Sequence, residues 1–328
     1  MSENTSVSLR SIGLLRGLVG FIAGALAGIL LVTLIRLLIG LPVWNSSAHG
    51  FVEPAWVVGA LLGGIGFMVG TGVTNDWFRW MRGEETPAHP HDAHESGWAR
   101  YLSVSFDHKV IGIQYGITSL VMLSLAGLFA LTFRTELVAP GIQFLPLRNY
   151  NTIMSLHGIV MIYGILLGVG AMSNYLVPVM IGANDMAFPR LNAFAFWINV
   201  PSGILLVSTL FLGGFDTGWT GYPPLSRIAP LGMQMFFLGV YFFGLSSILG
   251  SLNIIVTIIR LRAPGMTYFR MPIFVWSALA TALIGLTATQ LIGLAFQLVM
   301  FERLFGMGFF NPNLGGDPSN GGSGGNGN

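Results

Sequence analysis

Two residues stand out for the chemistry that their types permit in the places they occupy. His157 lies inside a long apolar run, in Ser155-Leu156-His157-Gly158-Ile159-Val160-Met161. A neutral imidazole is a good ligand for haem iron, and the glycine beside it leaves room for a bulky group. The same position also suits a histidine hydrogen-bonded to a neighbouring helix. Asp185 lies in Gly182-Ala183-Asn184-Asp185-Met186-Ala187-Phe188-Pro189-Arg190 and is the only acid between Glu136 and Asp216. Asn174 and Asn192 flank it. A carboxylate at a membrane mouth, with amides leading inward, could start a water-filled proton path. A loop aspartate that caps a helix or pairs with Arg190 is the other reading.

Weaker signals surround these two. Arg134 and Glu136 close one apolar run, Arg148 and Tyr150 precede the next, and Trp219 sits in the aromatic loop Asp216-Thr217-Gly218-Trp219-Thr220-Gly221-Tyr222-Pro223-Pro224. Interfacial anchoring accounts for Trp and Tyr in such a loop without further function. His89, His91 and His94 form a His-x-His-x-x-His run; metal binding would suit the spacing, but a solvated Pro-rich loop is the better explanation.

The elements that must hold these residues follow from composition. The chain has 328 residues, of which 53% are hydrophobic and 9% charged, and its mean hydropathy is +0.72. Soluble domains carry about 25% charged residues, so a soluble globular fold is excluded. A net charge of +2 is no footprint for nucleic acid. Cysteine is absent, which removes disulfides, thiolate metal sites and a Cys nucleophile.

A membrane-spanning helix needs about 20 mostly apolar residues. Seven stretches qualify, at roughly 17–41, 55–73, 110–133, 153–180, 194–213, 232–259 and 272–300. The fold class expected is all-α, a polytopic membrane helical bundle. His157 is the only histidine these limits place inside a span. With the N-terminus cytoplasmic, ten Lys and Arg residues fall on the inner side and four on the outer. The positive-inside rule then favours N-terminus in and C-terminus out.

Four segments are expected. Residues 1–74 form a transmembrane hairpin whose glycines, Gly20, Gly24 and Gly28 on one helix and Gly59/Gly63 and Gly66/Gly70 on the other, recur at the spacing that lets backbones approach in lipid. No polar residue there suggests a further role. Residues 75–105 form a polar cytoplasmic loop, residues 106–318 carry five helices, and residues 319–328, all Ser, Asn and Gly, form a disordered tail.

Taken together, several segments resemble subunit I of the haem-copper oxidases. Phe106-Asp107-His108-Lys109-Val110-Ile111-Gly112 is similar to the entry of that family's first helix. Asn149-Tyr150-Asn151-Thr152, running into His157-Gly158, is similar to its second. Asn174-Tyr175-Leu176-Val177-Pro178 and the Gly182 to Arg190 loop resemble the link to its third. Gly218-Trp219-Thr220 with Tyr222-Pro223-Pro224-Leu225-Ser226, then Asn253-Ile254-Ile255-Val256-Thr257 with Arg262-Ala263-Pro264-Gly265-Met266, and Gly315-Gly316-Asp317-Pro318 continue the series in order. The likeness covers residues 106–318.

The resemblance implies roles. His157 would be one axial ligand of a low-spin haem, of type a or b. Asp185 would open a proton pathway, with Asn174 and Asn192 along it. Arg134 and Tyr150 would lie near that haem, Trp219 near the outer electron-entry side, and Glu136 at an outer cation site. Asn184 departs from a common proline, Phe301-Glu302-Arg303 replaces a more usual aspartate, arginine and asparagine, and the two leading helices are extra. The family's sixth and later helices hold the other ligands of the two haems and of the copper, and no histidine follows Asp317 here. The resemblance therefore implies a second chain carrying the remaining helices, with the second haem and the copper. It also implies a copper-bearing electron-entry subunit, a donor such as cytochrome c, and a bacterial cytoplasmic membrane. A non-catalytic structural or haem-binding subunit, or a fragment, is the alternative.

Overall fold

The computed structural model describes residues 12–45, 50–87 and 97–310. Among them, seven segments are helical, long and apolar enough to cross a membrane, in the predicted order. The bundle is all-α apart from one small ribbon.

Helix α1 (Gly13–Leu38) and helix α2 (Glu53–Thr71) form the first hairpin. Between them β1 (Trp44–Asn45) pairs antiparallel with β2 (Gly50–Phe51), placing Trp44 opposite Phe51. The glycine seam explains how close the helices come. A β-carbon at Gly20 would overlap the Gly66 carbonyl, and one at Gly24 would overlap that of Leu62. Hydrophobic burial gives little drive to join helices in lipid, so association rests on such contact and on polar ties. The other side of α1 shows Val19, Ile22, Leu26 and Leu30 to the surroundings, a face suited to acyl chains.

The polar loop is more structured than a plain linker. It holds α3 (Asn75–Met81) and a 3₁₀ turn at Gly97–Leu102. Helix α4 (His108–Glu136) is capped by Asp107, whose carboxylate accepts from the Lys109 amide at 2.8 Å. Helix α5 (Leu147–Ile181) lies along α4 and ends at Gly182, whose φ of 72° is a left-handed helix stop.

The next span is broken. Helix α6 (Pro189–Trp197) and helix α7 (Asn199–Ser208) meet at Ile198. Pro201 cannot donate to the carbonyl four residues back, which loosens the helix there. A short α8 (Leu225–Ile228) leads into α9 (Gly232–Arg260) and then α10 (Ile273–Phe305). Helix α9 is central and touches α2, α5, α6, α7 and α10. Around it Phe67, Trp197, Phe215, Phe236 and Phe237 are fully buried.

Two ion pairs, one from the hairpin and one from the loop that follows it, tie the first part of the chain to the bundle at opposite ends. At one end the Glu53 carboxylate receives Arg303 Nε at 2.9 Å and a second guanidinium nitrogen at 3.0 Å. It also accepts from the Gln234 amide. At the other end Arg190 Nε meets Asp76 Oδ2 at 2.6 Å. Glu53 thus supplies the polar tie that composition did not suggest for the hairpin.

Candidate functional site

The chemistry-bearing residues separate to the two ends of the bundle. His157 stands on α5, where its Nδ1 lies 2.9 Å from the Ala126 carbonyl of α4. A carbonyl only accepts, so Nδ1 carries a proton, and in the neutral ring Nε2 keeps its lone pair. The edge of Phe133 packs 5.4 Å from the imidazole, and Phe133 also meets Tyr150 at 6.1 Å. The hydrogen bond and the ring contact together orient the imidazole.

The space beside Gly158 has another occupant than the one expected. A β-carbon there would lie 3.4 Å from Cδ1 of Trp219, so the indole fills the gap. Ser155 Oγ accepts from the Gly218 amide at 3.1 Å, and Arg148 donates to the Gly213 carbonyl at 3.1 Å. Both bonds fasten the aromatic loop to α5. Tyr150, His157 and Trp219 are therefore brought to one end of the bundle, together with Arg134, which is exposed on the last turn of α4. Glu136 turns its carboxylate onto the amides of Gln143, Phe144 and Leu145 at 2.7–2.9 Å, which shapes the loop after α4.

Asp185 sits at the other end, in the loop between α5 and α6. Its Oδ1 accepts from the Met186 amide at 2.6 Å. Burial raises its carboxyl above the usual carboxylate range, against the lowering effects of the Met186 amide and of nearby His108. Helix α9 braces this loop: Thr257 Oγ1 accepts from Ala187 at 2.9 Å, and Asn253 Oδ1 accepts from Phe188 at 2.9 Å. Asp185 does not rely on Arg190 as the sequence allowed; Arg190 is engaged with Asp76.

His108 corrects the expectation of a single histidine within the spans. It opens α4, is 2% exposed, and its Nδ1 lies 2.8 Å from the Asn174 carbonyl. A link thus runs from Asp185 past His108 to Asn174. Asn174 and Asn192 are buried, and Asn174 Oδ1 and both side-chain polar atoms of Asn192 find no partner among the described residues. Buried amides are costly unless hydrogen-bonded, which sets these atoms apart from the satisfied polar groups around them.

A polar cluster deeper in the bundle escapes a reading of the sequence. Asn199 donates to Ser246 Oγ at 2.8 Å and its carbonyl accepts from Tyr163 at 2.6 Å. Ser246 donates to the Ala195 carbonyl at 2.6 Å and lies 3.5 Å from the Tyr115 hydroxyl. The available signal was a set of polar side chains inside apolar runs. His89, His91 and His94, Gly315-Gly316-Asp317-Pro318 and the tail at 319–328 lie outside the described residues.

These features define a polytopic integral membrane bundle with an oriented histidine at one end and a half-buried carboxyl at the other. The family model for cytochrome c and quinol oxidase polypeptide I matches residues 110–321, so the chain belongs to that family. Cytochrome c oxidase subunit 1 of Thermostichus vulcanus is 44% identical over 223 residues, covering 67% of this chain and 40% of that protein. The protein of the same name from Synechocystis sp. is 45% identical with the same coverage. That from Bacillus subtilis is 40% identical over 220 residues, 66% of this chain and 35% of the relative. The chain spans about 40% of the length of the first two relatives.

Proposed function

We propose that the chain is the N-terminal part of subunit I of a haem-copper terminal oxidase. In this reading it passes electrons toward an oxygen-reducing haem–copper centre and takes up protons at its opposite end. The observation that carries the reading is the bond from His157 Nδ1 to the Ala126 carbonyl, which leaves Nε2 available as a donor. A neutral imidazole held in one tautomer by a backbone carbonyl suits axial ligation. A low-spin haem of type a or b bound there would supply one-electron transfer.

His157 would hold the iron on one side, and Tyr150, Arg134 and Trp219 would line the surroundings. The second axial ligand, the second haem and the copper would come from the remaining helices of subunit I. A copper-bearing subunit would bring electrons from cytochrome c or a similar donor. The distribution of Lys and Arg supports an Asp185 end that would face the cytoplasm, across a membrane that would be a bacterial cytoplasmic one. Asp185 would exchange protons there, and Asn174 and Asn192 would seat the water that carries them inward.

The test is a reduced-minus-oxidised spectrum with intact masses of every chain, on the complex purified in mild detergent from its own membrane. A low-spin haem band with partner helices at equal ratio is the expected result, and His157→Ala should abolish that band. Persistence of the band in the variant sinks the ligand assignment. A lone 35.3 kDa chain without haem sinks the enzyme.

A further inference from the structure

Residues 76–87, which belong to the loop that follows the extra hairpin, hold Arg190. Asp76 Oδ2 accepts from Arg190 Nε at 2.6 Å, and the two side chains are only 17% and 12% exposed. A second guanidinium nitrogen reaches Thr86 Oγ1 at 3.1 Å and the Pro87 carbonyl. The Trp80 ring lies under the guanidinium carbon, 5.2 Å from centroid to carbon. The ring of Trp77 packs 4.7 Å from Phe194 on α6, which sets α3 against the same helix. One short segment therefore presents a carboxylate, a hydroxyl, a carbonyl and an aromatic face to a single arginine.

That arginine stands five positions after Asp185 and opens the same helix that the Asp185 loop enters. We propose that Asp76 is a positioning residue for Asp185: by pairing with Arg190 it keeps that cation off the Asp185 carboxylate and leaves the carboxylate free to exchange protons.

The physical reason is direct. An arginine beside a carboxylate favours its ionised form and lowers its affinity for a proton. A carboxylate locked in such a pair is a poor port. The other groups near Asp185 do not replace this device. His108 and Asp107 face it from the start of α4 and act in opposite directions. Helix α9 presents the neutral Asn253 and Thr257. Arg262, beyond the end of α9, is folded back on the Ile258 and Met266 carbonyls. Arg190 is the cation whose placement the extra segment controls.

The proposal rests on the reading of Asp185 as a proton port, and the test separates the two. The Asp185 carboxyl is titrated by infrared difference spectroscopy in the purified complex, its band identified by loss in Asp185→Asn. Asp76→Asn should lower the midpoint by about one pH unit, a tenfold weaker hold on the proton. Asp76→Glu should keep the wild-type midpoint. The double variant Asp76→Asn/Arg190→Gln should return to it, because the released charge is gone. Arg190→Gln alone should leave it unchanged, which keeps the test available if Asp76→Asn does not assemble. An unmoved midpoint in Asp76→Asn, a fall that Arg190→Gln does not reverse, or a rise in Arg190→Gln alone overturns the proposal. Proton uptake at the wild-type rate in Asp185→Asn would defeat the port itself and leave the titration result standing.

Discussion

Glu53 and Arg303, 250 residues apart, meet through two hydrogen bonds of 2.9 and 3.0 Å at the ends of α2 and α10. The guanidinium is 7% exposed and the carboxylate 26%. Removing one partner of a buried pair costs about 3–5 kcal/mol, chiefly because the other charge is stranded. Glu53 is partly exposed, so Glu53→Gln should cost roughly 2–3 kcal/mol. Unfolding midpoints in detergent would show it. A variant as stable as the parent would reduce the pair to a surface contact.

The glycine seam makes a second prediction. Gly24→Leu places a branched side chain against the Leu62 carbonyl, where even a β-carbon would overlap. The hairpin should part and α1 should become open to protease. Gly127→Leu is the control, since nothing lies within 4 Å of a β-carbon added there. Equal protease resistance in the two variants would contradict close packing along the seam.

Asp185 should give the fold a pH dependence with a definite sign. Its folded-state pKa is raised by burial, so the folded chain binds that proton more tightly than the unfolded chain does. This contribution is full below the unfolded value of about 3.9 and is lost as pH climbs through the raised value. Asp185→Asn should match the wild type near pH ~4 and exceed it at pH ~8. Its amide oxygen can still accept from Met186. A wild type that gains on the variant with rising pH would reverse the sign.

Asn192 separates stability from transport. Its side chain is 1% exposed and neither polar atom has a partner among the described residues. Replacing it by leucine removes two unpaired groups and should change stability by less than about 1 kcal/mol. Proton uptake should slow at least about tenfold if its amide seats water on the route. Unaltered uptake removes Asn192 from the path.

The spans are legible in the sequence because an apolar run of about 20 residues has few other places to go. Their ends are less so. Helix α5 starts at Leu147, since Arg148, Asn149 and Asn151 continue a helix whose apolar core begins later. His157 and Asp185 show themselves as ionisable groups in an uncharged setting. His108 does not, because it sits between Asp107 and Lys109 and its burial depends on an Asn174 carbonyl 66 residues away. The ion pairs of Glu53 and Asp76 join segments more than a hundred residues apart, which no local pattern encodes.

Helix α2 also has a bearing on membrane thickness. Its 19 residues span about 28 Å, close to the hydrocarbon thickness of a thin bilayer. Glu53 and Arg303 hold one end, and the Thr71 carbonyl receives Arg16 at 3.1 Å at the other. Its 29- and 35-residue neighbours α4 and α5 can meet a thicker bilayer by tilting or by projecting from it. Helix α2 cannot follow without drawing its terminal charges into the acyl layer. A bilayer thicker than this span is expected to thin locally along the flank of α2.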